Sequence, residues 1–321
     1  MGRPFSECVV ELGWRREVES WVDQQLARDG HRITGPIQQP RVRPWSTQLM
    51  IPTDLGLMWF KANCAGLAFE PLVHAELARL APASVDQPYA IEPERGWMLT
   101  RDRGTTLGES HEPTVEDWRV VLGEAAAVQR IAVGHSEALL AAGLPDCSPA
   151  TVVDRFDRIV DILVDLPDEH PTRIDAYLER RLRAIRPEIV DAVDELTASS
   201  LPSTWQHGDI HPWNVFAVGA GTLRIFDFGD GQWAHAAELL TVPHGWIIER
   251  GTVSWEDVVE GYCAMWDVEP ADLESQRVAT ELTQPVNRAM TWWACLAEAA
   301  AVEWAEWGDA PIDHLSRLVE P

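Results

Sequence analysis

Hydrophobic residues in the first 100 positions follow a helical pattern and then an alternating one. Between Cys8 and Ala27, apolar residues recur every three or four positions, which predicts an amphipathic helix that ends at Gly30. The segments WSTQLMIP and LMWFKA, joined by the turn TDLG, predict a two-stranded hairpin whose second strand ends at Lys61. FEPLVHAELARL returns to helical spacing, and RGWMLTRD predicts another strand before a connector.

The pattern beyond about residue 108 is mainly helical. Thr114 with Asp117 resembles a capping box before VEDWRVVLGEAAAVQRI, and Ser148-Pro149 opens TVVDRFDRIVDILVDL. Further helices are predicted in TRIDAYLERRLRAIRPEIVDAVDEL, with an interruption near Pro187, and in QPVNRAMTWWACLAEAAAVEWAEW. Between them, VFAV, the turn GAGT and LRIF predict a small hairpin. The chain therefore has a strand-rich first third and a helix-rich remainder, connected near residues 100–108.

Composition is typical of an enzyme-sized globular protein. The 321 residues suffice for one large domain or two modest ones, and the 46% hydrophobic and 24% charged fractions exclude a disordered or fibrous chain. Five scattered cysteines without a CxxC spacing predict neither a disulfide framework nor a zinc site. No apolar run approaches the roughly 18 residues of a membrane helix. We therefore expect a cytoplasmic monomer or weak dimer without membrane contact.

The charge balance narrows the choice of partner. Against 51 Asp and Glu, the chain has 26 Lys and Arg, a net charge of −25. A field of this sign repels phosphate backbones, which argues against nucleic acid, and attracts cations, which favours a positively charged small molecule. The simpler alternative is that the acidity only maintains solubility.

One short run concentrates the candidate chemistry. HGDIHPWNVF contains His207, Gly208 and Asp209, with Asn214 five positions after Asp209, and Asp227 follows thirteen positions after Asn214 in Asp-Phe-Gly. A carboxylate beside an acceptor hydroxyl and two oxygen ligands for a hard divalent cation are what phosphoryl transfer requires. The predicted hairpin between Asn214 and Asp227 would turn both toward one site. Zinc binding by His207 and His211 would need a helix, which Gly208 disfavours.

The pattern H-x-D-x-x-x-x-N followed by D-F-G is that of protein kinases, but HGDIHPWN resembles more closely the aminoglycoside phosphotransferase and choline kinase family. RPWSTQ, WFKA and RGWML resemble segments of antibiotic and sugar kinases in that family. The resemblance implies an α+β, protein-kinase-like fold of two lobes. Residues 1–102 would form a nucleotide-binding lobe with a mostly antiparallel sheet, and residues 103–321 a helical lobe with the catalytic loop and acceptor site.

The resemblance also implies roles for individual residues. Asp209 corresponds to the catalytic base, Asn214 and Asp227 to ligands of Mg²⁺, and Lys61 to the lysine on the phosphates of ATP. The partner of Lys61 would be Glu70 or Glu76, and we favour Glu70 as the first acidic residue of its helix.

Other nucleotide contacts are assigned by position. No G-x-G-x-x-G is present, so Ser46 or Thr47, within residues 43–48, would cover the phosphates. The adenine contacts would come from the backbone of Met98, Leu99 and Thr100.

The acceptor site is the least specified part. We interpret His207 as support for the loop. The candidates for acceptor contact lie in or after the catalytic motifs and in the late helix: His211, Trp213, Asp230, Trp233, His235, Glu238 and Glu298. For the late glutamates, including Glu303 and Glu306, the alternative is a solvated helix face.

The function expected from these residues is transfer of the γ-phosphoryl group of ATP, with Mg²⁺, to a hydroxyl of a small cationic molecule such as an aminoglycoside or related amino-containing antibiotic. Within the same fold, the alternative is a metabolic kinase for an amino sugar, a choline-like molecule or homoserine. A protein kinase is disfavoured because no A-P-E segment follows Asp-Phe-Gly. The alternative of another class is a pseudokinase that binds nucleotide without turnover.

Overall fold

The N-terminal region is built on one antiparallel sheet. A computed structural model describes residues 3–219 and 222–319. The sheet has the strand order β1-β2-β3-β5-β4. Its strands are β1 Gln38–Val42, β2 Ser46–Thr53, β3 Gly56–Asn63, β4 Ala90–Glu92 and β5 Trp97–Arg101.

Helix α2 (Leu12–Arg28) covers one face of this sheet. The helices of the region are α1 Phe5–Cys8, α2 Leu12–Arg28 and α3 Glu70–Leu80. Buried Val18, Val22 and Leu26 of α2 pack against strand residues such as Ile51 and Phe60. Burial in β2 largely alternates, as expected for a strand with one covered face. The sheet is therefore supported from outside by α2, while its other face is available to the rest of the chain.

The remainder of the chain is mainly helical. Its helices are α4 Leu107–Ser110, α5 Val115–Ala132, α6 Ser136–Ala141, α7 Pro149–Val164, α8 Ala176–Ala198, α9 Thr241–Arg250, α10 Trp255–Trp266, α11 Pro270–Leu296, α12 Ala301–Trp307 and α13 Ala310–Ser316. Two small antiparallel pairs lie among them, formed by β6 Ser203–Gln206 with β9 Gln232–His235 and by β7 Val215–Ala217 with β8 Leu223–Ile225. These observations confirm the expected α+β class, with an antiparallel sheet followed by a helical region.

Several local predictions are confirmed. The hairpin of β2 and β3 closes with Thr53 opposite Gly56. The Thr114 side chain accepts from the backbone N–H of Asp117, and the Asp117 side chain accepts from the N–H of Thr114, so the capping box is formed. The hairpin before Asp227 is formed by β7 and β8, although residues 220–221 of its predicted turn lie outside the described residues.

Three helix predictions need correction. The first helix is divided, because α1 ends at Cys8 and the chain turns before α2; Gln39 Nε2 donates to the carbonyl O of Val9 at 3.2 Å, which satisfies a group freed by the turn. The interruption at Pro187 is absent, since α8 runs through it. A proline inside a helix costs about 3 kcal/mol. Burial of residues such as Ile189 against the helical core offsets that cost.

The late helix is also divided, between α11 and α12. In the gap, the backbone carbonyl of Glu298 accepts from the N–H of Phe5 at 3.2 Å, and the Glu303 carboxylate accepts from the N–H of Ala300 at 2.8 Å. These contacts replace the helical hydrogen bonds, so a tertiary contact with the N-terminal region ends the helix that the local sequence favours.

Strands β1, β4, β6 and β9 are not evident from the sequence pattern. β1 contains Pro40 and polar residues, and its register with β2 is irregular between Gln38 and Arg41. A proline is tolerated in an edge strand because no ladder hydrogen bond is required on its outer side.

Among the described residues, no helix is both long and apolar enough to cross a membrane.

Candidate active site

The candidate catalytic loop is formed by residues 207–214 after β6, and its backbone at Gly208 has a conformation that only glycine accommodates. Gly208 has φ +79°, and a Cβ atom there would lie 2.1 Å from the backbone O of Asp230. Its N–H donates to Gln206 Oε1 at 2.6 Å, while His207 Nε2 lies 2.9 Å from the backbone O of Phe226. The loop is thus fixed against the Asp-Phe-Gly segment, and His207 supports it as expected, fully buried and outside the cleft.

Asp209 and Asn214 are in direct contact. Asn214 Nδ2 donates to the backbone O of Asp209 at 2.8 Å and lies 3.3 Å from Asp209 Oδ2. His211 Nε2 lies 3.4 Å from the same carboxylate oxygen. Although burial opposes ionisation, the hydrogen bond from His211 and the positive charge of Arg288 lower the pKa of Asp209. The carboxylate is therefore ionised at neutral pH, and its side chain is 40% exposed toward solvent.

The β7–β8 hairpin returns the chain to this site. The N–H of Phe226 donates to the backbone O of Asn214 at 3.2 Å, so Asp227, the next residue, lies beside Asn214. Asp227 has φ +66°, a left-handed conformation that Asp tolerates better than most residues and that often occurs at functional sites. No hydrogen bond within residues 3–219 and 222–319 occupies Asn214 Oδ1 or Asp227 Oδ2. These two oxygens are suitable ligands for a hard cation.

Lys61 joins β3, α3 and the Asp-Phe-Gly segment. Its Nζ lies 2.7 Å from Glu70 Oε2 and 2.6 Å from Asp227 Oδ1. Glu70 also accepts from Asn63 Nδ2 at 2.8 Å and from the N–H of Phe228 at 3.1 Å. Glu70 is thus the partner of Lys61 in this structure, as we favoured, whereas Glu76 pairs with Arg79.

Electrostatic attraction outweighs the effect of burial on the pKa values of Lys61 and Asp227. Burial alone would lower the pKa of Lys61, but Asp227 and Glu70 raise it well above its ordinary value. Burial would likewise raise the pKa of Asp227, but Lys61 lowers it to about 2. Both groups are therefore charged at neutral pH.

A cavity of about 710 Å³ adjoins these residues, between the sheet and the helical region. Phe216, Ile225 and Phe226 line it from the β7–β8 side and Trp59 from the sheet side. Five basic residues (Arg41, Lys61, Arg101, Arg103, Arg224) and five acidic residues (Glu70, Asp86, Asp102, Glu109, Asp227) line it. In a chain with 26 basic and 51 acidic residues, this wall is locally enriched in positive charge, which suits an anionic ligand.

The expected adenine contacts require correction. Met98 pairs with Lys61 on one side and Ile91 on the other, and Leu99 pairs with Phe60 and Ala90. Their backbone groups belong to the interior of the sheet, because β5 lies between β3 and β4.

Thr100 differs from its two neighbours in β5. Within the described part of the sheet it pairs only with Trp59. Both Thr100 and Met98 line the cavity. Arg101 still pairs with Met58, and the N–H of Asp102 donates to the backbone O of Leu57 at 3.1 Å. The connector therefore leaves the sheet after Asp102, and Arg101–Gly104 line the cavity.

Ser46 also differs from expectation. It is 1% exposed, lies in β2 rather than in the preceding turn, and its hydroxyl is 3.4 Å from Arg41 Nη2. Thr47, the other residue considered, is equally buried and donates to the backbone O of Arg41 at 2.8 Å. Arg41 and Gln48 line the cavity instead. The side chains available to phosphates are those of strand residues facing the cavity, which the sequence pattern did not identify.

Three of the acceptor candidates lie near Asp209. His211 contacts its carboxylate, as described, and Trp213 stacks on Trp246 with ring centroids 5.1 Å apart. Asp230 accepts from Arg288 Nη1 at 2.5 Å. These residues border the catalytic loop and remain candidates for contact with an acceptor.

The other acceptor candidates lie elsewhere. Trp233 belongs to the main core cluster, and His235 is 1% exposed with its Nε2 2.8 Å from Ser199 Oγ. Glu238 is 2% exposed and accepts from Thr283 Oγ1 at 2.6 Å. The structure does not support acceptor contact by these three side chains, because each is buried in the helical region and none lines the cavity. Glu298 accepts from the N–H of Ala65 at 3.3 Å, so its carboxylate faces the segment after β3.

Some residues at the site carry no local sequence signal. Gln206 and Gln232 connect Gly208 to Thr291 of α11 through hydrogen bonds of 2.6, 2.8 and 2.9 Å. Arg288 is distant in sequence from Asp209 and reaches the site only through the packing of α11.

His207 and His211 do not lie on one helix, so the geometry of the zinc alternative is not formed.

Several solved structures share the architecture of this chain. A macrolide 2'-phosphotransferase type I has 15% identity and a TM-score of 0.60, over 97% of this chain and 99% of that one. An ethanolamine kinase from Plasmodium vivax has 10% identity and a TM-score of 0.65, over 97% and 90%. A spectinomycin phosphotransferase, solved with ADP and spectinomycin, has 12% identity and a TM-score of 0.53, over 94% of each chain. These likenesses confirm the two-lobed, protein-kinase-like fold.

The family itself is established by sequence. No curated protein sequence matches the chain. The family model for the phosphotransferase enzyme family matches residues 70–274, more than half of the chain, including Asp209, Asn214 and Asp227. The chain therefore belongs to the phosphotransferase enzyme family.

Proposed function

We propose that the protein transfers the γ-phosphoryl group of ATP, with Mg²⁺, to a hydroxyl group of a small cationic molecule. The observation that carries this proposal is the contact geometry of Asp209, Asn214 and Asp227 beside the Lys61–Glu70 pair. Family membership supports the reaction class. Similarity to an enzyme solved with ADP supports the nucleotide.

The residues divide the reaction between them. Asp209, ionised and partly exposed, accepts the proton of the acceptor hydroxyl as the oxygen attacks the γ-phosphorus and ADP departs. Lys61, fixed by Glu70, orients the phosphates. Asn214 Oδ1 and Asp227 Oδ2 would bind Mg²⁺, which supplies charge neutralisation on the phosphates when bound. The connector at Arg101–Gly104 would contact the adenine. We also propose a lobe boundary at residues 102–103, where β5 has ended.

The acceptor is proposed from charge and similarity. The net charge of −25 favours a cation, and Asp209 and Asp230 supply carboxylates beside the catalytic loop. Macrolide and spectinomycin phosphotransferases among the similar structures favour an amino-containing antibiotic, which would make the protein a resistance enzyme. A choline or ethanolamine kinase activity is the second candidate, because the ethanolamine kinase has the TM-score of 0.65. We further propose that the protein acts in the cytoplasm, where ATP is available.

The test is ADP release with ATP and Mg²⁺ over a panel of acceptors: a macrolide, spectinomycin, kanamycin, choline and ethanolamine. D209N should lower kcat by about 10² to 10⁴ without loss of stability, because it removes the base and keeps the shape. D168N, on a carboxylate with 92% side-chain exposure, is the control and should behave as wild type. If D209N retained wild-type turnover, the assignment of the base would be wrong. ATP binding without turnover of any acceptor would favour a nucleotide-binding regulator.

A further inference from the structure

Three tryptophans form a cluster between the two regions of the chain. Trp45 lies in the turn between β1 and β2, Trp292 on α11 and Trp307 on α12. The Trp45 ring is perpendicular to the other two, at centroid distances of 5.2 and 5.1 Å, and the Trp292 and Trp307 rings are nearly parallel at 6.2 Å. All three are only partly buried, so part of each ring remains free for another contact. We call these residues the Trp45 cluster.

The N-terminal side of the Trp45 cluster belongs to the phosphate end of the site. The backbone O of Trp45 accepts from the N–H of Cys64 at 2.9 Å, three residues after Lys61. The β1–β2 turn therefore lies at the end of β3 that presents Lys61. None of the three rings lines the cavity of about 710 Å³, so the Trp45 cluster lies outside the proposed nucleotide site.

The C-terminal side of the Trp45 cluster adjoins the catalytic loop. Trp292 is four residues after Arg288 on α11, so the two side chains share one face of the helix, about 5–6 Å apart at their Cβ atoms. Arg288 pairs with Asp230 at 2.5 Å, and the backbone of Asp230 packs on Gly208, next to Asp209. The Trp45 cluster is therefore connected to the catalytic loop through Arg288 and Asp230, and neither the cluster nor Asp209 lines the cavity of about 710 Å³.

The Trp45 cluster and the nearby carboxylates together offer aromatic as well as charged surfaces to a ligand. Indole faces bind apolar ring surfaces and also attract cations. The guanidinium of Arg43 is an example, since it lies 5.6 Å from the centre of the Trp307 ring. The neighbouring carboxylates of Asp230 and Asp209 are 32% and 40% exposed and suit an amine. An acceptor with an extended apolar surface next to its amine would use both features. A compact quaternary ammonium or a wholly hydrophilic polyamine would leave much of the aromatic surface unused.

We propose that Trp45, Trp292 and Trp307 are specificity-determining residues of the acceptor site, and that they select an amine carried on a large, mostly apolar ring system, as in a macrolide. This inference rests on the proposed phosphotransferase function and specifies its acceptor class. Trp45 comes from the N-terminal region, so the acceptor site is completed by the turn that also adjoins the phosphate end of the cleft.

The experiment compares W292A and W45A with a matched control, W304A. Trp304 is also on α12, but it packs against Trp293 and His170 within the helical region, at 5.4 and 4.8 Å. The dissociation constants of erythromycin, kanamycin and choline are measured by calorimetry on the full chain, which requires no turnover. The kcat and KM for each acceptor and for ATP are measured in parallel, and thermal unfolding identifies variants that have lost the fold. W45F and W292F replace any alanine variant that does not fold.

The expected result is that wild type binds erythromycin more tightly than choline or kanamycin. W292A and W45A should weaken erythromycin binding by on the order of tenfold or more, with a larger effect on acceptor KM than on ATP KM in W292A. W304A should bind erythromycin as wild type does.

Other results would overturn the inference. Preferential binding of choline or kanamycin by wild type would exclude the proposed acceptor class. Equal effects of W292A and W304A on erythromycin, or equal losses for all three acceptors, would show that the Trp45 cluster only joins the two regions. In either case the proposed phosphotransferase function would stand if wild type turned over one of the acceptors and D209N did not. Erythromycin binding without any turnover would instead reject that function and keep the binding assignment.

Discussion

Replacement of Glu70 tests the buried centre of the site most directly. Glu70 is 0% exposed and accepts from Lys61, Asn63 Nδ2 and the N–H of Phe228. Removing one partner of a buried ion pair costs about 3–5 kcal/mol, and each buried donor left without an acceptor adds about 1–3 kcal/mol. In E70A the ammonium of Lys61 retains Asp227 at 2.6 Å, so we take the lower end of these ranges.

The expected destabilisation of E70A is therefore about 5 kcal/mol, of which about 3 comes from the ion pair and about 1 from each of the two donors on Asn63 and Phe228. It is measured as the change in free energy of unfolding by urea. E70Q retains acceptors for Asn63 and Phe228 and should lose less stability, while its kcat should still fall because Lys61 loses a negative partner. E76A is the matched control on the same helix, since Glu76 pairs with the exposed Arg79; such pairs contribute about 0–1 kcal/mol. If E70A and E76A unfolded at the same urea concentration, the interpretation of Glu70 as the buried anchor of Lys61 would fail.

Three further predictions concern the backbone of the loop and the response to pH. G208A should abolish turnover and destabilise the fold by more than G30A, because both glycines have φ near +80° but only the Cβ at Gly208 would meet Asp230 O; equal stability losses in urea would exclude the steric part. Burial raises the pKa of Glu238 to about 7 from an ordinary value of 4.5, so its contribution to stability is present below pH 4.5 and lost as pH rises to 7. E238Q should therefore remove on the order of 2 kcal/mol of that decline between pH 5 and 8, and an unchanged pH profile would contradict the assignment. Burial lowers the pKa of His74 from 6.5 to about 4, so stability should fall as pH decreases from 6.5 to 4, and H74Q should flatten this acid limb in thermal unfolding.

The sequence predicts those parts of the fold that depend on local interactions. The β2–β3 hairpin, α3, the capped start of α5 and the β7–β8 hairpin follow from turn residues, caps and periodicity within short windows. The order of Asp209, Asn214 and Asp227 is informative for the same reason, since a two-stranded hairpin is enough to bring Asn214 and Asp227 together. Pairing of Lys61 with Glu70 is also predictable, because β3 and α3 are joined by only a short segment.

The errors occur where distant segments decide the structure. α11 ends at Leu296 because Glu298 contacts Phe5 and Ala65, nearly 300 and more than 200 residues away in sequence. Leu99 loses its expected role because β4, which has no clear strand pattern, pairs with β5 from outside. Glu238 is a carboxylate that follows Asp-Phe-Gly closely in sequence, as an acceptor-binding residue could. In the structure, however, Thr283 and Asn287 of α11 enclose it. Residue type and position along the chain do not distinguish a carboxylate in a cleft from one in a core.

The acceptor site depends most strongly on contacts between distant segments, so it is the part of the site that the sequence predicts least well. Asp209 and Asn214 belong to one loop, but Arg288 and Trp292 come from α11, Trp45 from the sheet and Trp307 from α12. Each lies between 79 and 164 residues from Asp209 in sequence and reaches the site through packing between elements. Phosphoryl transfer requires the same few groups at one centre whatever the acceptor is, so those groups form a compact motif. Acceptor selection requires only a surface of suitable shape and charge, which many combinations of distant residues can form. A surface of this kind can change without disturbing the catalytic loop, and it is therefore where members of this family that share the reaction can differ in the molecule they phosphorylate.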